Sequence, residues 1–323
     1  MYVRLNPRPE VLSLLGDVKD HPEDDAPRLR LADWLAGQGA AADVARAEFV
    51  RLQCRSAGLP TADPRRTDLL RREGELLGRY EGAWLGPLRE RAAGWRFQRG
   101  LLAVRAVARR FTSRVLAALA ASETGAWVSA LRLRSLPAEA AARVAASPLL
   151  AHLNALEVPY NRLGARGAAT LVSSPYLVRL THLDLACTGL GDEGAAALAA
   201  LPRPARLAAL DLGMNRLGAE GVGALAASGR LTGLHHLGLF GNNLGDRGAS
   251  VLATSAGLAR LRCLDLRCNG IGEEGALALA ASPHLAGLTT LRLEDNPVGV
   301  AGQTALRERF GSRVRLVAGP PAW

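Results

Sequence analysis

From Leu153 onward, apolar and polar positions fall in a fixed frame. Leu153, Leu156 and Val158 are followed by Asn161, Leu163 and Gly164, and the frame returns at Leu180, Leu207, Leu234, Leu261 and Leu288. Each start lies 27 residues after the one before, with no insertion. A period of that length predicts a solenoid, in which each supersecondary unit buries its apolar face only by stacking on its neighbours. Within one unit, Leu210 and Leu212 alternate with Asp211, the period of two expected of a short strand with one buried face. Asn215 stands where the strand turns away, and its amide can bond backbone groups left unpaired in the turn. Asn161, Asn242, Asn269 and Asn296 hold the same place, and Thr188 substitutes a hydroxyl. Gly218, Glu220 and Gly221 then predict a tight turn into a short helix over Val222–Ala227.

This frame resembles the leucine-rich repeat family, and its helical return is similar to the ribonuclease-inhibitor-like class. The resemblance covers roughly residues 128–323, with six regular repeats. It implies an α/β fold: a right-handed solenoid with a curved parallel sheet inside and helices outside, preceded here by a small all-α domain. A degenerate repeat is read at Val128, Leu131, Leu133 and Leu136, and the run Trp95–Val104 is read as the first strand of the array. Imperfect terminal repeats are expected, because an end repeat presents one face to water. Thr304–Phe310 reads as the last helix, Val314–Val317 as a closing strand and residues 319–321 as a frayed tail.

The first sixty residues follow a helical period instead. Val11, Leu14, Leu15 and Val18 mark one helix; Asp24-Asp25-Ala26-Pro27 signals the start of a second, with Leu31, Trp34 and Leu35 on one face. A third is expected from about Asp43 to Arg55. The blocks Asp24–Leu35 and Arg46–Cys54 are similar to the repeat-companion domain of planctomycete-type bacteria, which precedes such repeats and has no established catalytic role. The chain is therefore divided as 1–59, a helical repeat-companion domain; 60–94, a connecting helical segment; and 95–323, the repeat array with its C-terminal cap. Asp33 and Glu48 read as partners of surrounding arginines rather than as a catalytic carboxylate pair.

Composition changes this picture little. Four cysteines (Cys54, Cys187, Cys263, Cys268) make no disulfide framework, and no apolar stretch of membrane-spanning length or secretory leader is seen. A cytoplasmic, monomeric protein is the expectation. The formal charge is +10, with 39 of 40 basic residues arginine; residues 1–127 hold 21 basic and 16 acidic groups, and 128–323 hold 19 and 14. With the excess split evenly and no basic block seen interleaved with aromatics, nucleic acid is not expected as a partner.

The scan for chemistry finds no nucleotide loop, nucleophile elbow or metalloprotease helix. Gly189-Leu190-Gly191-Asp192-Glu193-Gly194 fits a dinucleotide fingerprint formally, but its last two glycines recur in every unit, and Asp192 and Glu193 would repel a pyrophosphate. The histidines are dispersed along the array. No catalytic residue, cofactor or metal site is expected.

What remains is the concave surface. Residues between the leucines face outward from the sheet, in columns that include Glu157, Asp184, Asp211, Asp265 and Arg292; His182 and His236; Phe240, Arg267 and Glu294; and Tyr160 and Met214. An acidic stripe with scattered apolar anchors suits a basic peptide or a protein partner. The expected function is a non-catalytic interaction scaffold. The alternative, regulation of a small GTPase, follows from fold analogy alone.

Overall fold

The structure is a computed structural model and describes residues 7–200, 206–229 and 231–316. Two compact units emerge: one takes in the chain up to Leu133 together with Ser147–Ala155, the other Arg134–Ala146 and everything from Leu156.

The first unit opens with helices α1 (Pro9–Asp20), α2 (Ala26–Ala36), α3 (Ala41–Ala57), α4 (Arg65–Leu85) and the short α5 (Leu88–Arg91). Just before α2, Asp24 Oδ1 accepts the Ala26 N–H at 2.9 Å, while the N-cap residue Asp25 makes no side-chain cap bond. Next come strands β1 (Ala92–Gln98) and β2 (Leu101–Val107), helices α6 (Ser113–Ala120) and α7 (Glu123–Trp127), and strand β3 (Val128–Arg134).

The Trp95–Val104 run, read as one strand, is a hairpin. Its strands pair antiparallel, Trp95 with Val104 and Phe97 with Leu102. Arg99 and Gly100 turn the chain with φ of 46° and 85°. Two consecutive positive φ values make the tight hairpin turn whose twist matches the flanking strands. Periodicity missed it because apolar residues continue on both sides of the turn.

The helices complete their core with this hairpin. Val11, Leu15, Leu31, Leu35 and Val50 pack with Leu101, Ala126 and Trp127, while Phe49 and Trp84 meet Phe97. A Cβ on Gly100 would lie 2.7 Å from Val50, so the turn demands glycine by contact as well as by φ. The Arg46 guanidinium is buried among Trp84, Phe97 and Trp127, 4.8, 4.7 and 4.2 Å from the ring centres, and donates to Gly100 O. Burial pushes its pKa down to about 9, against the attraction of Glu123, and the ring faces supply the electron density that water no longer does. Lys19, the one lysine, is buried and donates to Ala126 O and to Val128 O, the latter at 2.9 Å. Asp33 pairs with Arg51 and Glu48 with Arg72, as read.

The second unit carries α8 (Ala141–Ala145) and then the regular array: β4 (Ala155–Glu157), α9 (Gly164–Val172), β5 (His182–Asp184), α10 (Gly191–Ala199), β6 (Ala209–Asp211), α11 (Ala219–Ala227), β7 (His236–Gly238), α12 (Gly245–Thr254), β8 (Cys263–Asp265), α13 (Glu273–Ala281), β9 (Thr290–Arg292), α14 (Val300–Phe310) and β10 (Val314–Arg315). Strands β5 to β9 pair parallel and in register, so each residue meets its counterpart 27 positions on; Leu183, Leu210, Leu237, Leu264 and Leu291 form one buried row. The closing strand is observed as β10; residue 317 and the tail lie outside the described residues.

The asparagines join units rather than serving only their own turn. Asn215 Oδ1 accepts from Thr188 N and Leu190 N of the preceding repeat at 3.0 and 3.1 Å, and its Nδ2 donates to Leu185 O at 2.8 Å. Asn242 does the same for Asn215 N and Leu217 N, and Asn296 for Asn269 N and Ile271 N. Thr188 has no amide to offer, and at that rung Leu163 N donates to its main-chain oxygen instead; Gly164 N donates there too, as Gly191 N does to Asn215 O.

The paired glycines divide their labour. Gly164, Gly191 and Gly245 have φ near +60° and make the turn. The second of each pair lies inside the helix and lets adjacent helices approach: a Cβ on Gly221 would fall on Asp192, and one on Gly275 would lie 2.6 Å from Asp246. The sequence pattern assigns both sets to the turn; the second serves packing.

Candidate functional site

The face of the sheet turned away from the helices is made by residues between buried leucines. Leu210 and Leu212 point inward, leaving Ala209, Asp211 and Gly213 on the other side. One position before each asparagine, and before Thr188, the backbone is left-handed: Tyr160, Cys187, Met214, Cys268 and Asp295 have φ of 53–60°, and Gly241 has 66°. That conformation throws the side chain clear of the sheet, and Tyr160 is 72% and Met214 46% exposed. Between them lie the small residues Ala186, Ala209 and Gly213, alongside His182 and the carboxylates of Asp184 and Asp211.

The carboxylates of the central column have a local task. Asp184 Oδ1 accepts from Ala186 N at 2.9 Å, Asp211 Oδ1 from Gly213 N at 2.8 Å and Asp265 Oδ1 from Arg267 N at 3.2 Å. Each bond ties down the N–H two residues on, just past the end of the strand. Glu157 stands in the one repeat where that position is Pro159, which has no N–H. Gly238 is small for a related reason: a Cβ there would sit 2.9 Å from the Asp211 carboxylate.

The column is not electrostatically uniform. Asp265 is 8% exposed and held by Arg267 at 2.6 Å and Arg292 at 3.5 Å, while Arg292 also reaches Glu294 at 3.4 Å. Glu294 is 4% exposed, so neither it nor Asp265 projects as the column pattern implied; the two arginines fold over them. Arg267 also lies 4.8 Å over the Phe240 ring. The bond to Asp265 raises the Arg267 pKa despite partial burial. Burial, reinforced by Asp265 and Asp295 respectively, raises the Cys263 and Cys268 thiols, which makes them poor nucleophiles at neutral pH. His182 and His236 are exposed on the outer column, with His182 Nδ1 2.8 Å from Thr181 Oγ1.

A family profile described as Leucine Rich repeat matches residues 180–199, 207–226, 232–253 and 260–280. These are leucine-rich repeats. Each matched stretch begins at or just before the strand and ends in the helix, so family pattern and observed unit coincide. No curated protein matches the sequence. Among solved structures, the chain is similar to an internalin from Listeria monocytogenes, at 20% identity and a TM-score of 0.40. That match covers 64% of this chain and 57% of the internalin, so the chain spans little more than half the length of that neighbour.

Among the described residues no three His, Cys, Asp or Glu side chains are gathered to hold a metal ion. No described helix is long and apolar enough to cross a membrane. The open face carries two exposed apolar side chains, Tyr160 and Met214, and an uneven charge pattern. Sequence reasoning missed the Asp265–Arg267–Arg292–Glu294 network. Its signal was the pair of arginines two and 27 positions from Asp265.

Proposed function

We propose that the chain is a non-catalytic scaffold that binds a protein or peptide on the open face of its leucine-rich repeats. The observation that carries this reading is the pairing of exposed Tyr160 and Met214 with the small residues between them, on a sheet whose leucines are all turned the other way. Glu157, Asp184 and Asp211 lie on the same face, and Arg267 and Arg292 cover Asp265 and Glu294 at its other end. The footprint is centred on Tyr160 and Met214, across strands β4–β7, with Phe240 and His236 at its far side and His182 on its rim. An extended basic segment with apolar residues fits that distribution, its cations against the carboxylates and its apolar groups against Tyr160 and Met214. The similarity of residues 8–55 to the repeat-companion domain supports an adaptor role for the helices. The ribonuclease-inhibitor-like class is part of the same reading. Four free cysteines accord with a reducing, cytoplasmic setting.

The test is selection from a random peptide display library. Native protein should enrich sequences bearing Arg or Lys with apolar neighbours, and their binding should fall at least tenfold in a Tyr160→Ala/Met214→Ala variant. It should also weaken in Asp184→Asn/Asp211→Asn, which removes charge but keeps the oxygen that accepts the turn N–H. Enriched peptides that bind all three proteins equally would move the site off this face.

A further inference from the structure

The positive charge of the first unit is concentrated in one place. Residues 88–114 hold eight arginines and a single carboxylate, Glu90, whereas residues 1–87 hold 13 basic and 14 acidic groups. Averaging over half the chain hides this, because the arginines are spaced out in sequence and gather only when the hairpin folds.

The register shows how. Gly94 pairs with Arg105 and Arg96 with Ala103, so Arg96 and Arg105 stand on the same side of the β1–β2 hairpin. Its other side is buried through Leu102, Val104 and Ala106. Ala92 pairs with Ala106, which brings Arg91, just before β1, to the same end as Arg109 and Arg110, just after β2. Arg89 and Arg114 follow on α5 and α6. These seven arginines are exposed, and none makes an ion pair or side-chain hydrogen bond among the described residues. The eighth, Arg99, is spent on Asp25 at the hairpin turn. Gly94 has its own part: the Arg105 guanidinium lies across it, and a Cβ would sit 2.9 Å from Nη2. A flat cation is thereby laid along the strand.

We propose that this hairpin is a docking surface for double-stranded DNA, which it holds through the phosphate backbone without reading sequence. Seven unpaired guanidinium groups complement a polyanion, and arginine's planar fork suits phosphate oxygens. The choice among polyanions follows from what lies between the arginines. None of the exposed large apolar side chains falls within residues 88–114, so nothing there would enter a lipid bilayer. Phe111 is 1% exposed, Phe97 is packed against Phe49 and Trp84, and the Trp95 indole donates to Glu81; no ring is free to stack on the bases of a single strand. The hairpin is the end of the ten-stranded sheet, with β2 paired to β3, so it presents one open face to the phosphates and does not enter a groove; duplex RNA is the competitor that the experiment separates.

The experiment is fluorescence anisotropy of the full chain with a labelled random-sequence DNA duplex, titrated at several salt concentrations. The expected dissociation constant is micromolar at low salt, and the affinity should fall steeply as salt rises. Changing Arg91, Arg96, Arg105 and Arg109 to Ala should weaken binding at least tenfold and flatten the salt slope by about 3, at roughly 0.9 per lost phosphate contact. The control variant changes Arg134, Arg162, Arg216 and Arg260, exposed arginines of the repeat unit, and so carries the same net charge; it should bind within threefold of native. Circular dichroism melts establish that both variants fold. Equal loss in the two variants would reduce the effect to net charge and overturn the proposal. So would tighter binding to duplex RNA, to single-stranded DNA or to phosphatidylserine vesicles than to duplex DNA.

Discussion

At Asp211 a single carboxylate belongs to two descriptions. It is part of the charge on the open face, and its Oδ1 also closes the turn by accepting from Gly213 N. The two tasks separate chemically, because asparagine keeps the acceptor and drops the charge. Asp211→Asn is expected to change unfolding free energy by less than about 0.5 kcal/mol, while Asp211→Ala should cost about 1 kcal/mol, the net worth of one such bond. Urea denaturation of the two variants checks this; equal losses would mean that the charge, not the acceptor, sustains the turn. Asn215 is more heavily committed. Its amide satisfies Thr188 N, Leu190 N, Leu185 O and Gly213 O, all in a buried turn. Asn215→Ala strands several of these, and at 1–3 kcal/mol per stranded group an overall loss of about 3 kcal/mol or more is expected. A shift in denaturation midpoint worth less than about 1 kcal/mol would show that water replaces the ladder at no great cost.

At the scale of elements, the glycines of α11 make a controlled comparison within one helix. Gly221 faces the preceding repeat with Asp192 directly beneath it, whereas the nearest atom to a Cβ on Gly223 is Val251 Cγ1 at 4.0 Å. Both positions are helical, so alanine gains about 1 kcal/mol of propensity at either. At Gly223 that gain should appear as a stabilisation of about 0.5–1 kcal/mol. At Gly221 the clash should outweigh it, for a net loss of about 1–3 kcal/mol, the usual cost of overpacking. Melting temperatures moving in opposite directions are the expected result; movement in the same direction would mean that helix spacing adjusts freely. The hairpin is built by the same kind of constraint, since Gly100 must both hold a φ of 85° and pass under Val50.

At the scale of the whole molecule, the first unit is held by buried cations as well as by its apolar core. Lys19, Arg28 and Arg46 are all buried, and each donates to main-chain oxygens. Arg99 closes the arrangement from the hairpin turn by pairing with Asp25. Burial works against the Asp25 carboxylate, but the hydrogen bonds from Arg99 and Cys54 prevail and hold its pKa below the ordinary value. A group depressed in the folded state contributes stability above its unfolded pKa, about 3.9, and loses it as pH falls through the folded value. Native protein should therefore be more stable than Asp25→Asn at pH 5, with the gap narrowing towards pH 3. A gap that stays constant between those pH values would show that the oxygen geometry matters and the charge does not.

The leucine frame, read alone, determined the array: a strict 27-residue period leaves one way to bury every leucine, and the strands and helices appear where it placed them. It also determined which residues lie between the leucines, because alternation along a strand is a local property. Three things needed the fold. The hairpin was hidden because its turn interrupts no apolar pattern. The loss of Asp265 and Glu294 from the open face came from arginines that reach them only after folding, one of them from the adjacent strand. The gathering of Arg91, Arg96, Arg105, Arg109 and Arg110 depends on antiparallel pairing. Periodicity records which way a side chain points; which distant charges become neighbours is set by strand register, and that is decided only when the chain packs.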